Sequence, residues 1–179
     1  MRQHSWKLFN ARQLAIAIFG VALAAVTLFG LRPAAVTAHD DNDKAVRDVL
    51  MQSATGFERG DLAMLNKVYA HDESVTIFES GHANYGWADY RDHHLVPEMK
   101  EFKNTKYTLS DIKVKISGAT AWATYKYALT GDIKERHIDV KGLGTAVLEE
   151  RRGRWQIVHT HTSAPRRAPA ATPGAVPKK

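Results

Sequence analysis

The chain has no cysteine among its 179 residues. Thiolate metal sites, cysteine nucleophiles and disulfide staples are therefore excluded, and any folded part must stand on its apolar core. Proline is equally scarce in the body of the chain. Four of the six lie in Ala164–Lys179, and only Pro33 and Pro97 lie elsewhere. Phosphate-binding glycine loops, a GxSxG elbow and internal repeats are also missing, which removes the usual marks of nucleotide enzymes, serine hydrolases and solenoids.

What is present begins with an unusual pair of ends. Arg2, Lys7 and Arg12 form a basic, acid-free start, followed by an apolar run from Leu14 to Leu31. Pro33 closes that run, and Val36-Thr37-Ala38 places small residues at −3 and −1 before His39. This order is that of a signal peptide over residues 1–38, and it predicts a periplasmic or secreted protein. A retained membrane anchor is the alternative, because the run approaches the length that spans a bilayer. Residues 164–179, rich in proline, alanine and basic residues, read as a disordered tail without activity.

The ends also account for the charge. The formal net charge is +6, yet Arg2, Lys7, Arg12, Arg32, Arg166, Arg167, Lys178 and Lys179 all lie in them. Between His39 and Ser163 only 17 of the 25 basic residues remain, against all 19 acidic ones. No basic face survives to bind nucleic acid. With the signal removed, no membrane partner is expected either.

The middle of the chain reads as one α+β domain, 39–163. Val46, Val49, Leu50, Ser53 and Phe57 recur at helical spacing from Asp43, with Asp41 or Asp43 as a cap and Gly60 as a stop. Asp61 caps a second, short helix through Leu62, Leu65 and Val68. Val75–Ser80 reads as a strand with Val75, Ile77 and Glu79 on one face. A third helical stretch runs from about Trp87 to Phe102, with a kink or restart expected at Pro97.

After Asn104 the period is two. Tyr107 and Leu109 share one face, then Ile112, Val114 and Ile116, and the slip between Leu109 and Ile112 predicts a β-bulge. Ala121, Ala123, Tyr125, Tyr127 and Leu129 follow beyond a turn at Gly118. A long strand over His137–Glu150 and a hairpin at Arg152-Gly153 lead into a last strand, Trp155–Thr162. Helices first and a curved antiparallel sheet afterwards place the helices on one face of that sheet.

The run GDLAMLNKVYAHDESVTIFESG, the pair His93-His94-Leu95 and the ending GRWQIVHTHTSAP resemble the SnoaL-like proteins. These belong to the nuclear transport factor 2-like superfamily, which also holds ketosteroid isomerase. The resemblance covers nearly all of Asp43–Pro165. It implies a cone-shaped α+β fold whose curved sheet wraps round the N-terminal helices and leaves a deep pocket. It further implies a homodimer joined through the sheets. It does not imply one activity, since isomerases, cyclases, dehydratases, binding proteins and oligomerisation modules share the fold. The isomerase pair of catalytic tyrosine and aspartate has no match here, so steroid isomerisation is not carried over.

Strand alternation predicts that Trp155, Ile157, His159, His161 and Ser163 project to one side, the histidines inward with the apolar pair. Glu79 points inward on its own strand. His94 precedes Glu98 by one helical turn and follows Trp87 and Tyr90 at helical spacing. On the resembled fold the helix and the last strand flank the pocket mouth, where these groups converge. The expected catalytic set is therefore Glu79, His159 and His161. Trp87, Tyr90, His94, Glu98, Tyr125, Tyr127 and Trp155 are expected to line a pocket for a small organic ligand.

Three readings of the cluster stand open. It can be structural, with the histidines satisfied by neighbours in a non-catalytic dimerisation or interaction module. It can bind a small molecule or do acid–base chemistry on it, histidine titrating near neutrality beside a carboxylate. Or it can hold a divalent transition metal through His94, His159, His161 and Glu79, where otherwise no cofactor is expected.

Overall fold

The computed structural model describes residues 34–165. Most of the expected signal segment (1–33) and of the expected tail (166–179) lies outside the described residues. The chain divides into two units at Asp40/Asp41; the fold below is that of the second. Among the described residues, no helix is long and apolar enough to cross a membrane.

Helix α1 spans Ala34–Arg59. It starts nine residues before the expected Asp43, because nothing from Ala34 to Thr55 breaks a helix. Asp43 is not a cap. It pairs with Arg47 one turn on, and Arg47 in turn donates to the carbonyl of Ile112 at 2.7 Å. Val46, Leu50 and Ala54 form the buried face, each at most 2% exposed. Gly60 ends the helix in the left-handed region at φ 65°. Asp61 caps helix α2 (Leu62–Val68), accepting from the Met64 amide at 2.9 Å. Gly56 lets the two helices close, since a Cβ there would sit 2.8 Å from Leu65 Cγ.

Six strands follow: β1 (Thr76–Glu79), β2 (His82–Tyr85), β3 (Phe102–Ser117), β4 (Thr120–Ile133), β5 (Arg136–Arg151) and β6 (Arg154–Ser163). They form one sheet in the order β2-β1-β6-β5-β4-β3. All pairs are antiparallel except β1 with β6, so the sheet is mixed rather than wholly antiparallel. β2 is a strand beyond those expected from the sequence. Ser80 and Gly81 both take positive φ, 50° and 87°, and the two-residue loop they form pairs Glu79 with His82.

Between β2 and β3 the chain is helical throughout: α3 (Trp87–Tyr90), a π-helical turn (Arg91–Leu95) and α4 (Val96–Glu101). The disturbance expected at Pro97 is this π turn. A proline ring collides with the carbonyl four residues back, and widening the preceding turn relieves the collision. The Val96 amide accordingly bonds the Arg91 carbonyl, five residues back.

The sheet bends at register shifts. The expected bulge between Leu109 and Ile112 is there, between Ser110 and Lys113, with Asp111 at φ 52°. A second shift lies between Lys103 and Lys106. A third, between Val147 and Leu148, sets Val147 opposite His159 and Leu148 opposite Ile157, leaving Val158 as the extra residue on β6. Helices α1 and α2 pack on the concave face around Leu65, Leu148, Ile157, Val46 and Val75, all fully buried. Burial of each such side chain stabilises by roughly 1.5–3 kcal/mol.

Candidate functional site

The third bulge decides which side chains reach the interior. With Val158 inserted, the alternation of β6 reverses after Ile157. Trp155, Ile157 and Val158 are buried, then Thr160; His159 is half-buried and His161 exposed. The expectation that both histidines point inward with Trp155 is thereby corrected. His159 Nδ1 lies 2.7 Å from Thr76 Oγ1, and its ring meets Phe78 edge-on at 5.3 Å. The His161 ring stands 6.3 Å from the same Phe78. Thr76 and Phe78 alternate with the buried Ile77, so both rings lie on the outer face of the sheet. Burial and the neighbouring His161 charge hold His159 below the ordinary imidazole pKa. His161 reaches the cavity only at its mouth, in the company of Thr162–Pro165.

Glu79, His94 and Glu98 do converge, as the sequence suggests. One oxygen or nitrogen from each lies within 4.8 Å of the others. Glu79 ends β1 on the face of Val75 and Ile77. Tyr90, His94 and Glu98 descend the helical segment at four-residue intervals, turned inward by the buried Trp87, Tyr90 and Leu95. His94 Nε2 is 3.9 Å from Glu79 and 3.8 Å from Glu98. Its orientation comes from β2. The Asn84 amide nitrogen donates to Asp89 at 3.0 Å, which turns its oxygen to His94 Nδ1 at 3.2 Å. That oxygen only accepts, so Nδ1 carries the hydrogen and Nε2 faces the carboxylates.

Burial, and next the charge of Glu79, push the Glu98 carboxyl up to about 7. Burial also raises Glu79, against the charges of His94 and His82. Two carboxylates in one poorly solvated wall do not both ionise readily, so near neutral pH the pair holds a proton.

This wall belongs to a cavity of ≈ 760 Å³. Leu50, Ala54 and Phe57 of α1 line it, with Leu65 of α2, Tyr69 just beyond it, Tyr107 of β3, Tyr125 and Tyr127 of β4, and Thr160 of β6. Among the expected pocket residues, Tyr90, Glu98, Tyr125 and Tyr127 line it, as does Glu79. Three others do not. Trp87 stacks on Tyr69 at 4.4 Å and donates to Asn66 at 2.8 Å, which makes it core. Trp155 is buried with its indole nitrogen 3.4 Å from Asn42. His94 stands behind the carboxylates rather than on the cavity surface. The expected metal set loses His159 and His161 for the same reason as the catalytic set; Glu79, His94 and Glu98 are the trio whose atoms come together.

Sequence reasoning missed Asn84, Tyr69, Thr160 and two glycines. Gly142 and Gly144 pair across the strands with Tyr127 and Tyr125. A Cβ at Gly142 would lie 2.6 Å from Tyr127 Cε1 and Cζ, and one at Gly144 would lie 2.2 Å from Tyr125 Cε2. The two rings therefore lie flat on bare backbone. The signal was legible in principle as Tyr-x-Tyr facing Gly-x-Gly.

A helical layer inside a curved six-stranded sheet, with the pocket between them, is the nuclear transport factor 2-like cone. Within that class the SnoaL-like domain signature matches residues 46–167, and the chain belongs to the SnoaL-like family. Solved structures agree. One from Shewanella frigidimarina NCIMB 400, described as a "putative ketosteroid isomerase", is 28% identical, with a TM-score of 0.58 over 65% of this chain and 92% of that one. A nuclear transport factor 2-like protein of Salmonella enterica is 14% identical, with a TM-score of 0.65 over 75% and 97%. The hexachlorocyclohexane dehydrochlorinase LinA-type3 of Novosphingobium barchaimii LL02 is 14% identical, with a TM-score of 0.63 over 78% and 97%. No curated protein sequence matches the chain.

Proposed function

We propose that the domain binds a small, largely apolar organic molecule in the cavity and moves a proton on it with the Glu79–Glu98 pair. The observation that carries this is the placement of the pair on the cavity wall, with Glu98 poised at about 7 and His94 fixed behind it. A carboxyl near the working pH both gives and takes a proton with little driving force lost. The cavity volume, ≈ 760 Å³, suits a ligand of drug-like size. The 28% identical Shewanella protein, described as a "putative ketosteroid isomerase", supports a small organic substrate without naming this one. The Tyr/Asp pattern of that chemistry is missing here, so the reaction is left as proton transfer.

The test is a screen of small organic molecules by thermal shift, followed by Glu98→Gln. Ligands that raise the melting temperature of the wild type and titrate against Glu98→Gln with altered affinity support the reading. A cavity that takes no organic molecule at millimolar concentration would sink it.

A second reading has one specific observation behind it. Glu79, His94 and Glu98 present an N,O,O set, and His94 is held by Asn84 in the tautomer a metal ligand needs. Tetrahedral zinc ligands at about 2.0–2.1 Å from the ion lie nearer one another, about 3.4 Å apart, than the 3.8–3.9 Å seen here. Equilibrium dialysis against zinc, iron and manganese decides it: no uptake at ten micromolar free metal removes the metal.

Two further parts of the proposal rest on sequence and surface. The basic start, apolar run and small-residue site support export, with the domain working in the periplasm or outside the cell. Exposed Trp122 and Leu143, 45% and 62% accessible on the outer face of the sheet, support a homodimer joined there. Sedimentation of the mature protein and of Trp122→Glu tests the latter.

A further inference from the structure

The lining of the cavity has a charge pattern that proton transfer does not explain. It contains two carboxylates, Glu79 and Glu98, and five tyrosines, and neither a lysine nor an arginine. Its one imidazole is His161, at the mouth. Among the described residues the one basic side chain within 4 Å of either carboxylate is His94, which sits behind the wall at 3.8 and 3.9 Å, with His82 acting on Glu79 from farther off. An anion entering the cavity would meet negative charge and no counter-ion. A neutral molecule would leave that charge with no partner on the cavity side, only the histidines behind the wall.

The tyrosines supply the other half. Tyr125 and Tyr127 lie flat on Gly144 and Gly142, so each has one ring face on the backbone and turns the other to the cavity. The Tyr107 ring stands 5.8 Å from Tyr127, tilted by 36°. All five phenols feel the charge of Glu79, which adds to the upward shift that burial gives each of them. Glu79 is thus the electrostatic centre of the tyrosine set. A carboxylate among aromatic faces attracts a cation twice, by direct charge and by the ring quadrupole, and both attractions grow where water is scarce.

We propose that the ligand of this cavity is an organic cation, an amine or quaternary ammonium on an apolar body, with its charged head between the Glu79/Glu98 carboxylates and the faces of Tyr125 and Tyr127. This rests on the reading of the cavity as a ligand site and names the class of molecule that fills it. The apolar body lies toward Leu50 and Phe57, on the α1 side of the cavity.

The test uses three probes of matched shape on the full chain: benzyltrimethylammonium, its uncharged carbon isostere neopentylbenzene, and the anion 3-phenylpropanoate. Affinities are read by ligand-observed NMR and calorimetry. The cation should bind at least tenfold more tightly than the isostere, and the anion should show no saturation. The double variant Glu79→Gln/Glu98→Gln should lose at least tenfold for the cation while holding the isostere within twofold. Tyr127→Leu should weaken the cation more than the isostere. If the isostere binds as well as the cation to wild type, the cation assignment falls and the cavity remains a site for neutral molecules. If none of the three saturates on a folded protein, the ligand-site reading falls with it. The wild-type comparison alone decides the proposal should a variant fail to fold.

Discussion

Two clusters of polar and aromatic side chains sit on opposite faces of the sheet where β1 meets β6, and only the inner one forms the wall of the cavity, the outer reaching it through His161 alone, at the mouth. Inside, Glu79 and Glu98 share a poorly solvated wall with His94 held behind them. Outside, His159 and His161 lean on Phe78, with Thr76 as the hydrogen-bond partner of His159. Neighbouring residues supply both: Thr76, Phe78 and Glu79 belong to β1, and Phe78 is paired with His161. Composition is thus no guide to the site. The side of the sheet is, and one inserted residue sets it for β6.

The largest effect should come from removing that residue. Deleting Val158 restores simple alternation, which drives His159 and His161 into the core and turns Thr160 out. Two imidazoles buried without partners cost several kcal/mol, so urea denaturation should show a loss of about 4 kcal/mol or no cooperative transition. A variant as stable as wild type would mean the bulge does not fix the orientation of the histidines.

Next is Gly144→Ala. The new methyl would lie 2.2 Å from Tyr125 Cε2 and must displace the ring from β5. Overpacking of this kind costs about 1–3 kcal/mol, and the cavity should lose its aromatic floor at that point. Crystallography of the variant should show Tyr125 rotated into the cavity, with ligand affinity reduced at least tenfold.

The inner pair should also set the pH dependence of stability. Glu98 titrates at about 7 folded against 4.5 unfolded, so the folded state binds the extra proton between these values. Its contribution is present below pH 4.5 and is lost as pH rises through about 7. At about 1.4 kcal/mol per unit, wild type should lose roughly 2–3 kcal/mol from pH 5 to pH 8 relative to Glu98→Gln. Parallel stability curves for the two proteins would contradict this. His159 works in the opposite sense. With its pKa held below the ordinary value, its contribution is present above pH 6.5 and lost as pH falls.

The smallest effects belong to the outer histidines. His159→Ala removes one hydrogen bond to Thr76, worth about 1 kcal/mol. His161→Ala, at an exposed position, should stay within about 0.5 kcal/mol. Neither should change ligand affinity by more than twofold. A tenfold loss in His159→Ala would restore the outer cluster to the functional account.

Why one bulge was legible in the sequence and the other was not comes down to what was inserted. In β3 the bulge falls at Asp111-Ile112, and the polar pair Ser110-Asp111 breaks the apolar series visibly between Leu109 and Ile112. In β6 the extra residue is Val158, apolar itself, and Trp-x-Ile-x-His-x-His reads as unbroken alternation. The signal lay in Ile157-Val158, two adjacent residues both buried, followed by small Thr160 facing the cavity. β2 was hidden because His82-Ala83-Asn84-Tyr85 is only four residues long and buries none of them; its fold comes from the Ser80-Gly81 turn and from pairing with β1. The helices, their Gly60-Asp61 junction and the inward turn of Glu79 were plain, since each follows from local spacing. Convergence of Glu79, His94 and Glu98 followed from the resemblance, which brings strand and helix together; spacing alone gives the inward face of Glu79 and the one turn between His94 and Glu98. The role of Asn84 was not legible, because it depends on a strand that the sequence concealed.

The central claim is that the inner carboxylate pair, not the outer histidines, is the working centre. The most direct measurement is a carboxyl-carbon NMR titration of Glu98 in the wild type and in Glu79→Gln. The account predicts a Glu98 midpoint at about 7 in the wild type, moving down when the Glu79 charge is removed. A wild-type midpoint near the ordinary glutamate value, unmoved by Glu79→Gln, would contradict it.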